Sequence, residues 1–298
     1  MKAVWSFWTK PYLSVRKAYW ASEKHHWLSW VLSLETAKRH YPETCLVTDS
    51  KGAEILVDRL GLRSSQVSTE LDALADEDPG WWALGKLYAY SLQHEPFVHI
   101  DSDVYLWKRF PAYLESADVF TQNPEPFSEV GDTWYQPERA DRAFQETGGR
   151  LPEEWQWYRQ VQTQQRAECC GILGGQNTGF IRHYAEQALR FAVDPANDRA
   201  WQALGNKAGQ MTLVEQYLLA ACVEFHSANS SSAFNPVQMR YLFDSLSQAY
   251  NPDSATRVGF THLIANAKKN RMIATRLEDR VKRDYPENFQ RCSQYSLV

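Results

Sequence analysis

Two aspartates one residue apart, at the end of an apolar run, are the residues of this chain best placed to do chemistry. They lie in Phe97-Val98-His99-Ile100-Asp101-Ser102-Asp103-Val104-Tyr105-Leu106. If the apolar residues form a buried strand, Asp101 and Asp103 present their oxygens at its carboxyl end, where a hard divalent cation can take them. Such a cation suits a phosphate-bearing ligand, because it neutralises charge in the ground state and charge that builds on a leaving group. Asp-Ser-Asp also reads as an ordinary turn, with side chains bonded to nearby backbone amides. A second candidate is Phe260-Thr261-His262-Leu263-Ile264, followed by Lys268 and Lys269. An imidazole at a strand end can add a nitrogen ligand, and lysines six and seven residues later can reach a phosphate. Alone, His262 reads as a structural histidine; beside the aspartates it reads as their third ligand.

These residues need a scaffold that brings strand ends together. Ala3 to Trp8, Thr44 to Thr48 and Pro96 to Ile100 read as strands. Between them, Trp27, Trp30, Val31, Leu34 and Ala37 recur at helical spacing behind a Ser22 N-cap. Lys51 to Leu60 forms a helix ended by Gly61, and Trp82 to Gln93 forms another. Strands separated by helices imply crossover connections and a mainly parallel α/β sheet, whose ligands sit at the carboxyl ends of its strands. Thr9, Lys10 and Asp49 fall at such ends and are expected to line a nucleotide.

Further along, Cys169 to Leu173 reads as a strand closed by Gly174-Gly175. Helices are expected over Ile181 to Ala192, Asp198 to Leu204 and Leu213 to Val223, then a strand over Val258 to Ile264 and a charged C-terminal helix. Residues 123–166 are rich in Pro, Glu, Gln and aromatics, and read as an insertion over the sheet in one domain spanning 1–298. Trp81, Trp82 and the Trp134, Tyr135, Trp155, Trp157 and Tyr158 group lie in polar surroundings. They could offer flat faces to a sugar or an acceptor peptide, or pack as the insertion's own core. His25-His26 reads as solvated surface and Asp72 to Asp78 as a solvated loop.

Bulk properties narrow the partners. The net charge is -4, with 32 basic and 36 acidic residues, so a nucleic acid or an anionic membrane is not expected. Five scattered cysteines fit neither a zinc spacing nor a disulfide framework and imply a reducing compartment. No apolar run reaches the roughly 18 residues of a spanning helix, and no signal peptide is read at the start, so a cytoplasmic protein is expected.

Taken together, Lys86, Asp101-Ser102-Asp103, Gly171-Ile172-Leu173-Gly174-Gly175, and His262 with Lys268 resemble metal-dependent GT-A glycosyltransferases. The resemblance is nearest to the glycogenin-like and lipopolysaccharide galactosyltransferase-like group. It implies a Rossmann-like, mainly parallel sheet flanked by helices, and hexosyl transfer from a nucleotide-sugar to a glycan, peptide or small-molecule acceptor. It further implies that Asp101, Asp103 and His262 hold Mn²⁺ or Mg²⁺, that Lys86 and Lys268 touch donor sugar or phosphate, and that the nucleotide is UDP. By the same resemblance, Glu215 before Gln216 faces the acceptor as a base or flanking carboxylate, though a first-turn helix acid reads equally well there. The chain departs from the group in two places. Ala265 replaces the glycine of the late His-x-x-Gly-x-x-Lys-Pro-Trp motif and Lys269-Asn270 replaces Pro-Trp, while Cys169-Cys170-Gly171 stands for Asn-Ala-Gly.

Three other readings stay open. Haloacid-dehalogenase-like phosphatases also use Asp-x-Asp, but near the N-terminus and with Thr or Val where Tyr105 stands. A nucleotidyltransferase would carry a glycine-rich basic loop after the first strand, and Trp5 to Pro11 has no glycine. A catalytically silent relative would bind carbohydrate or protein alone.

Overall fold

The computed structural model of the chain describes residues 1–16, 19–130 and 135–295. The chain is α/β, with a mostly parallel central sheet flanked by helices. It divides into two compact units.

The first unit comprises Met1–Pro79, Val98–Arg109 and Ala255–Val298. Lys2–Phe7 pairs in parallel with Thr44–Thr48, which pairs in parallel with Gln66–Ser68. The strand Phe97–Ile100 lies on the other side of Lys2–Phe7. Every residue of Thr44–Thr48 and Phe97–Ile100 is buried, as expected of parallel strands covered on both faces. The helix Glu23–Lys38 follows Ser22, whose hydroxyl meets His25 Nδ1 at 2.7 Å instead of a backbone amide. Its expected apolar stripe is buried, and so are Ser29, Ser33 and Thr36. Those hydroxyls are not misplaced surface. Ser33 Oγ donates to the Asp101 carbonyl (3.0 Å) and accepts from Trp5 Nε1 (2.9 Å), while Ser29 Oγ donates to the Ser102 carbonyl (2.7 Å). The helix therefore fixes the backbone on which the two aspartates sit.

Asp49 caps the helix Ser50–Ala53, which widens to π geometry over Glu54–Arg59 and ends at Gly61. His26, expected on the surface, is buried and stacks on Tyr12 at 4.2 Å between centroids, and His25 lies 2.8 Å from Glu278. The apolar wall built by Phe7, Trp27 and Trp30 accounts for the difference, since it leaves His26 facing inward. The expected late strand is shorter, Phe260–His262, because the helix Pro252–Val258 takes its first residue. It pairs antiparallel with Val104–Leu106, setting His262 opposite Val104. Two C-terminal helices, Arg271–Asp284 and Pro286–Gln294, replace the single one expected, the break falling at Tyr285-Pro286, where proline removes an amide donor.

The second unit comprises Gly80–Phe97 and Phe110–Ser254. Val119–Thr121 pairs in parallel with Met239–Tyr241 and antiparallel with Ile172–Gly175. A Cβ on Gly175 would lie 2.0 Å from the Asp118 carbonyl, so only glycine permits this strand contact. Three helices, Glu153–Val161, Thr178–Val193 and Leu218–Ala228, form the helical body, with Leu218–Ala228 packed against both others. The aromatic-rich segment packs inward. Trp155 meets Tyr217 at 4.5 Å and Phe191 at 5.5 Å, Tyr158 meets Tyr217 at 5.3 Å, and Tyr135 stacks on Phe127. Trp81 is buried edge-on against Trp201 at 5.0 Å. Trp81, Tyr135, Trp155 and Tyr158 are thus core rings and not sugar platforms. Trp82 and Trp157 are half-buried, and Trp134 lies outside the described residues. Burying such rings removes roughly 150–250 Å² of surface each, enough to order a segment otherwise rich in polar residues. No helix among the described residues is long and apolar enough to cross a membrane.

Candidate metal and donor site

Asp101 and Asp103 sit where the sequence places them, directly after the strand Phe97–Ile100. A turn closed by the Val104 amide on the Asp101 carbonyl (3.0 Å) brings both carboxylates to one side, and the Leu263 amide on the Asp103 carbonyl (2.9 Å) ties in the strand that carries His262. One ligand atom from each of Asp101, Asp103 and His262 lies within 4.8 Å of the others. His262 Nε2 is 3.5 Å from Asp103 Oδ1, and the Lys268 ammonium is in direct contact with Asp103 Oδ2. Burial alone would raise the Asp103 carboxyl, but the Lys268 and His262 charges outweigh it and hold Asp103 well below the usual carboxylate range. Asp101 is the more open of the two, its side chain 28% exposed against 7% for Asp103. His99 backs it, with Nδ1 3.6 Å from Asp101 Oδ1 and Nε2 2.9 Å from Ser6 Oγ. Ser102 is half-buried between them and is held through its carbonyl.

Lys268 follows a residue in an unusual conformation. Ala265 has φ +48°, in the left-handed region, and occupies the position where the resembled motif has glycine. The Lys268 carbonyl accepts the Ala21 amide at 3.0 Å. The ammonium lies 5.7 Å from the Trp20 ring centroid, which gives it an apolar and cation-attracting neighbour.

Thr9, Lys10 and Asp49 come together on one open cleft of about 330 Å³, also lined by Trp8, Ser50 and Asp72. Their polar atoms already have work. Asp49 Oδ2 accepts from the Thr9 amide (2.8 Å) and hydroxyl (2.7 Å), and Oδ1 accepts from the Gly52 amide (2.7 Å). Lys10 Nζ donates to the Ala75 and Glu77 carbonyls, both at 2.7 Å, and so pins the acidic loop over the cleft. Asp72 in that loop accepts from the Ser50 amide at 2.8 Å.

Lys86 and Glu215 meet in the second unit. Lys86 Nζ is 2.8 Å from Glu215 Oε1 and 2.6 Å from the Cys170 carbonyl, and Glu215 is fully buried. Separated by more than a hundred residues, they were read singly from the sequence, and no spacing signal marks them as a pair. A second convergence went unread altogether. Glu154, His183 and His226 bring ligand atoms within 4.8 Å of one another, each from a different helix of the second unit. No short motif connects them, and nothing in one sequence marks it.

A family model described as a family of unknown function (DUF6734) matches residues 1–295. The chain belongs to that family. No curated protein matches it. Among solved structures, the chain is similar to apo mouse xyloside xylosyltransferase 1, at 8% identity and a TM-score of 0.40, over 90% of this chain and 99% of that one. It is also similar to the galactosyltransferase LgtC in complex with donor and acceptor sugar analogs, at 10% identity and a TM-score of 0.43, over 100% of this chain and 97% of that one. Both likenesses are distant, and what the two clusters can do rests on their own atoms.

Proposed function

We propose that the chain is a GT-A-like glycosyltransferase that moves a hexose from a UDP-sugar to an acceptor nucleophile with the help of Mn²⁺ or Mg²⁺. The observation that carries this reading is the convergence of Asp101, Asp103 and His262 at a strand end, with Lys268 already on Asp103. The donor set fits such an ion: two carboxylates suit a hard cation, one of them is held ionised, and an added imidazole favours Mn²⁺ over Mg²⁺. Bound there, the ion would neutralise a diphosphate and stabilise charge on it as the sugar departs. Lys268 is proposed to add a point charge to the same diphosphate, exchanging part of its contact with Asp103 for phosphate oxygens.

The nucleoside is proposed to occupy the cleft of Thr9, Lys10 and Asp49, whose volume is at the lower end of the range for small-molecule sites. There the Thr9–Asp49 bonds and the Lys10 strap act as a preset frame. For Lys86 and Glu215, expected at donor and acceptor, either role requires their buried pair to open. A cytoplasmic setting remains part of the proposal, in keeping with five free, buried cysteines.

Calorimetric titration of UDP and GDP, with and without Mn²⁺, tests the reading in wild type and in Asp101→Asn/Asp103→Asn. Mn²⁺-dependent binding of UDP, lost in the variant, is expected. Nucleotide binding indifferent to both Mn²⁺ and the substitutions would overturn it, and no nucleotide binding under any condition would shift weight to a chain that only binds carbohydrate or protein.

A further inference from the structure

We propose that Glu154, His183 and His226 form a second, independent metal site, a zinc clasp joining three helices of the second unit. Glu154 lies in the first turn of Glu153–Val161, His183 in the second turn of Thr178–Val193, and His226 in the last turn of Leu218–Ala228. Their ligand atoms close a small triangle. His183 Nε2 is 2.9 Å from Glu154 Oε1, His226 Nε2 is 3.1 Å from His183 Nε2, and His226 Nε2 is 3.6 Å from Glu154 Oε1. Zinc bonds of about 2.0–2.2 Å in a tetrahedron place neighbouring ligands about 3.3–3.5 Å apart, and the observed edges bracket that spacing.

The histidine tautomer decides what this triangle does. A neutral imidazole has one N–H, and the Nδ1 of His226 meets Ser232 Oγ at 2.8 Å. If the Ser232 hydroxyl donates there, both Nε2–H groups are free to point at Glu154; if His226 Nδ1–H donates, the Nε2 lone pair of His226 faces His183 and Glu154, and a cation at the centre converts all three into attractions. The Ser232 contact also resembles the outer partner that orients a metal-binding histidine, and Ser232 Oγ is itself held by the Phe234 amide at 3.1 Å.

A separate observation points to a ligand. Glu154 is 3% exposed, and its Oε2 has no hydrogen-bond partner among the described residues. The partners of its carboxylate are His183, His226 and Gln187, with no lysine or arginine among them. A buried carboxylate with an unused oxygen and only imidazoles for positive partners is a costly arrangement unless a cation completes it. Phe180, Phe225 and Phe234 stand 5.8, 5.0 and 5.2 Å from the His226 ring, walling the cluster with apolar surface that strengthens such an attraction. Two imidazoles and one carboxylate select a borderline ion, zinc before magnesium or calcium. The side chain of His183, 27% exposed, marks the way in.

The test uses the full chain carrying Asp101→Asn/Asp103→Asn, so that the first cluster does not contribute. After stripping with chelator, loading with ZnCl₂ and desalting, elemental analysis should find about one zinc per chain, consistent with the three-ligand set. Adding His183→Gln and His226→Gln should lower zinc affinity by at least about 100-fold, and Ser232→Ala alone by about 10-fold, measured against a chromogenic chelator. Circular dichroism checks that each variant is folded. Should the double histidine variant fail to fold, His183→Gln alone replaces it, and Co²⁺ loading of the parent reads the site directly through the intense visible bands of a four- or five-coordinate ion. Failure to retain zinc in the parent, equal retention in the folded histidine variants, or a weak six-coordinate Co²⁺ spectrum would each overturn the clasp. None of these outcomes bears on the proposed donor site, since its two aspartates are replaced throughout.

Discussion

The two clusters draw on the same ligand types in opposite proportion. The first, in the Met1–Pro79, Val98–Arg109 and Ala255–Val298 unit, has two carboxylates and one imidazole. It is built on a turn and a two-stranded ribbon, has Lys268 in contact with one carboxylate, and leaves Asp101 partly open. The second has one carboxylate and two imidazoles, sits on three packed helices, and is walled by phenylalanines, with no lysine or arginine among the described partners of its carboxylate. The contrast separates two uses of a cation. A lysine-attended site with two hard carboxylates suits an ion that comes and goes with a phosphate, whereas a site of borderline ligands joining three helices suits one that stays and holds elements together.

The comparison is most easily broken by removing the carboxylates of the first cluster. Asp101→Asn/Asp103→Asn should weaken Mn²⁺-dependent UDP binding by on the order of 100-fold or more, about 3 kcal/mol, while zinc retained by the second cluster is unchanged. Loss of both together would show that the clusters are not separate sites. Lys268→Met sharpens the point. It strips a buried carboxylate of its main counter-charge and should destabilise the metal-free protein by about 3 kcal/mol in urea unfolding at neutral pH. Mn²⁺ should then restore more stability to this variant than it adds to wild type, because the ion takes over the role of the ammonium. An identical Mn²⁺ effect on both proteins would argue against cation binding at Asp103.

A third buried carboxylate serves as a control. Glu168 has a basic partner, Arg166 at 2.9 Å, yet burial pushes its carboxyl up to about 7, against the opposing pull of Arg166 and Tyr241. Arg166 divides its charge with Glu224 at 2.7 Å, so it does not fully offset the burial. A carboxyl raised in the folded state favours folding below its unfolded value near 4.5, and that contribution is lost as pH rises through about 7. Glu168→Gln should therefore match wild type near pH 5 and exceed it near pH 8 by about 2 kcal/mol in urea unfolding. A difference that does not change between the two pH values would remove this control. Asp103 and Glu154, both held low, should show the opposite dependence, losing stability as pH falls.

What could be read in the sequence follows from how local each signal is. The strand Thr44–Thr48 and the helix Asp198–Leu204 appear with the expected bounds, because apolar run, cap and stop lie within a few residues of each other. The Asp101 to Asp103 motif was readable for the same reason. Joining it to His262 rested on ligand chemistry at two strand ends and then on a resemblance, while the joining atoms are a strand pairing that no periodicity announces. The inward turn of Trp81 and Trp155 was not decidable, since polar neighbours in sequence are not neighbours in space. The Lys86–Glu215 pair and the Glu154, His183, His226 cluster lay further out of reach, being made by packing alone.

The smallest effect concerns a departure that the sequence showed and the backbone explains. Ala265 holds φ +48°, where a Cβ crowds the following carbonyl at a cost of roughly 1–2 kcal/mol and where glycine is unstrained. The loop must keep that turn, since it carries the chain from His262 to Lys268 within six residues. Ala265→Gly relieves the strain but also frees the unfolded chain, and the two effects oppose each other. The net expectation is a gain of about 0.5 kcal/mol in urea unfolding, with zinc retention at the helix cluster unaffected. UDP binding should stay within a factor of about two, because the ligand atoms keep their positions. A clear loss of stability would mean that the left-handed turn at Ala265 holds little strain for glycine to relieve.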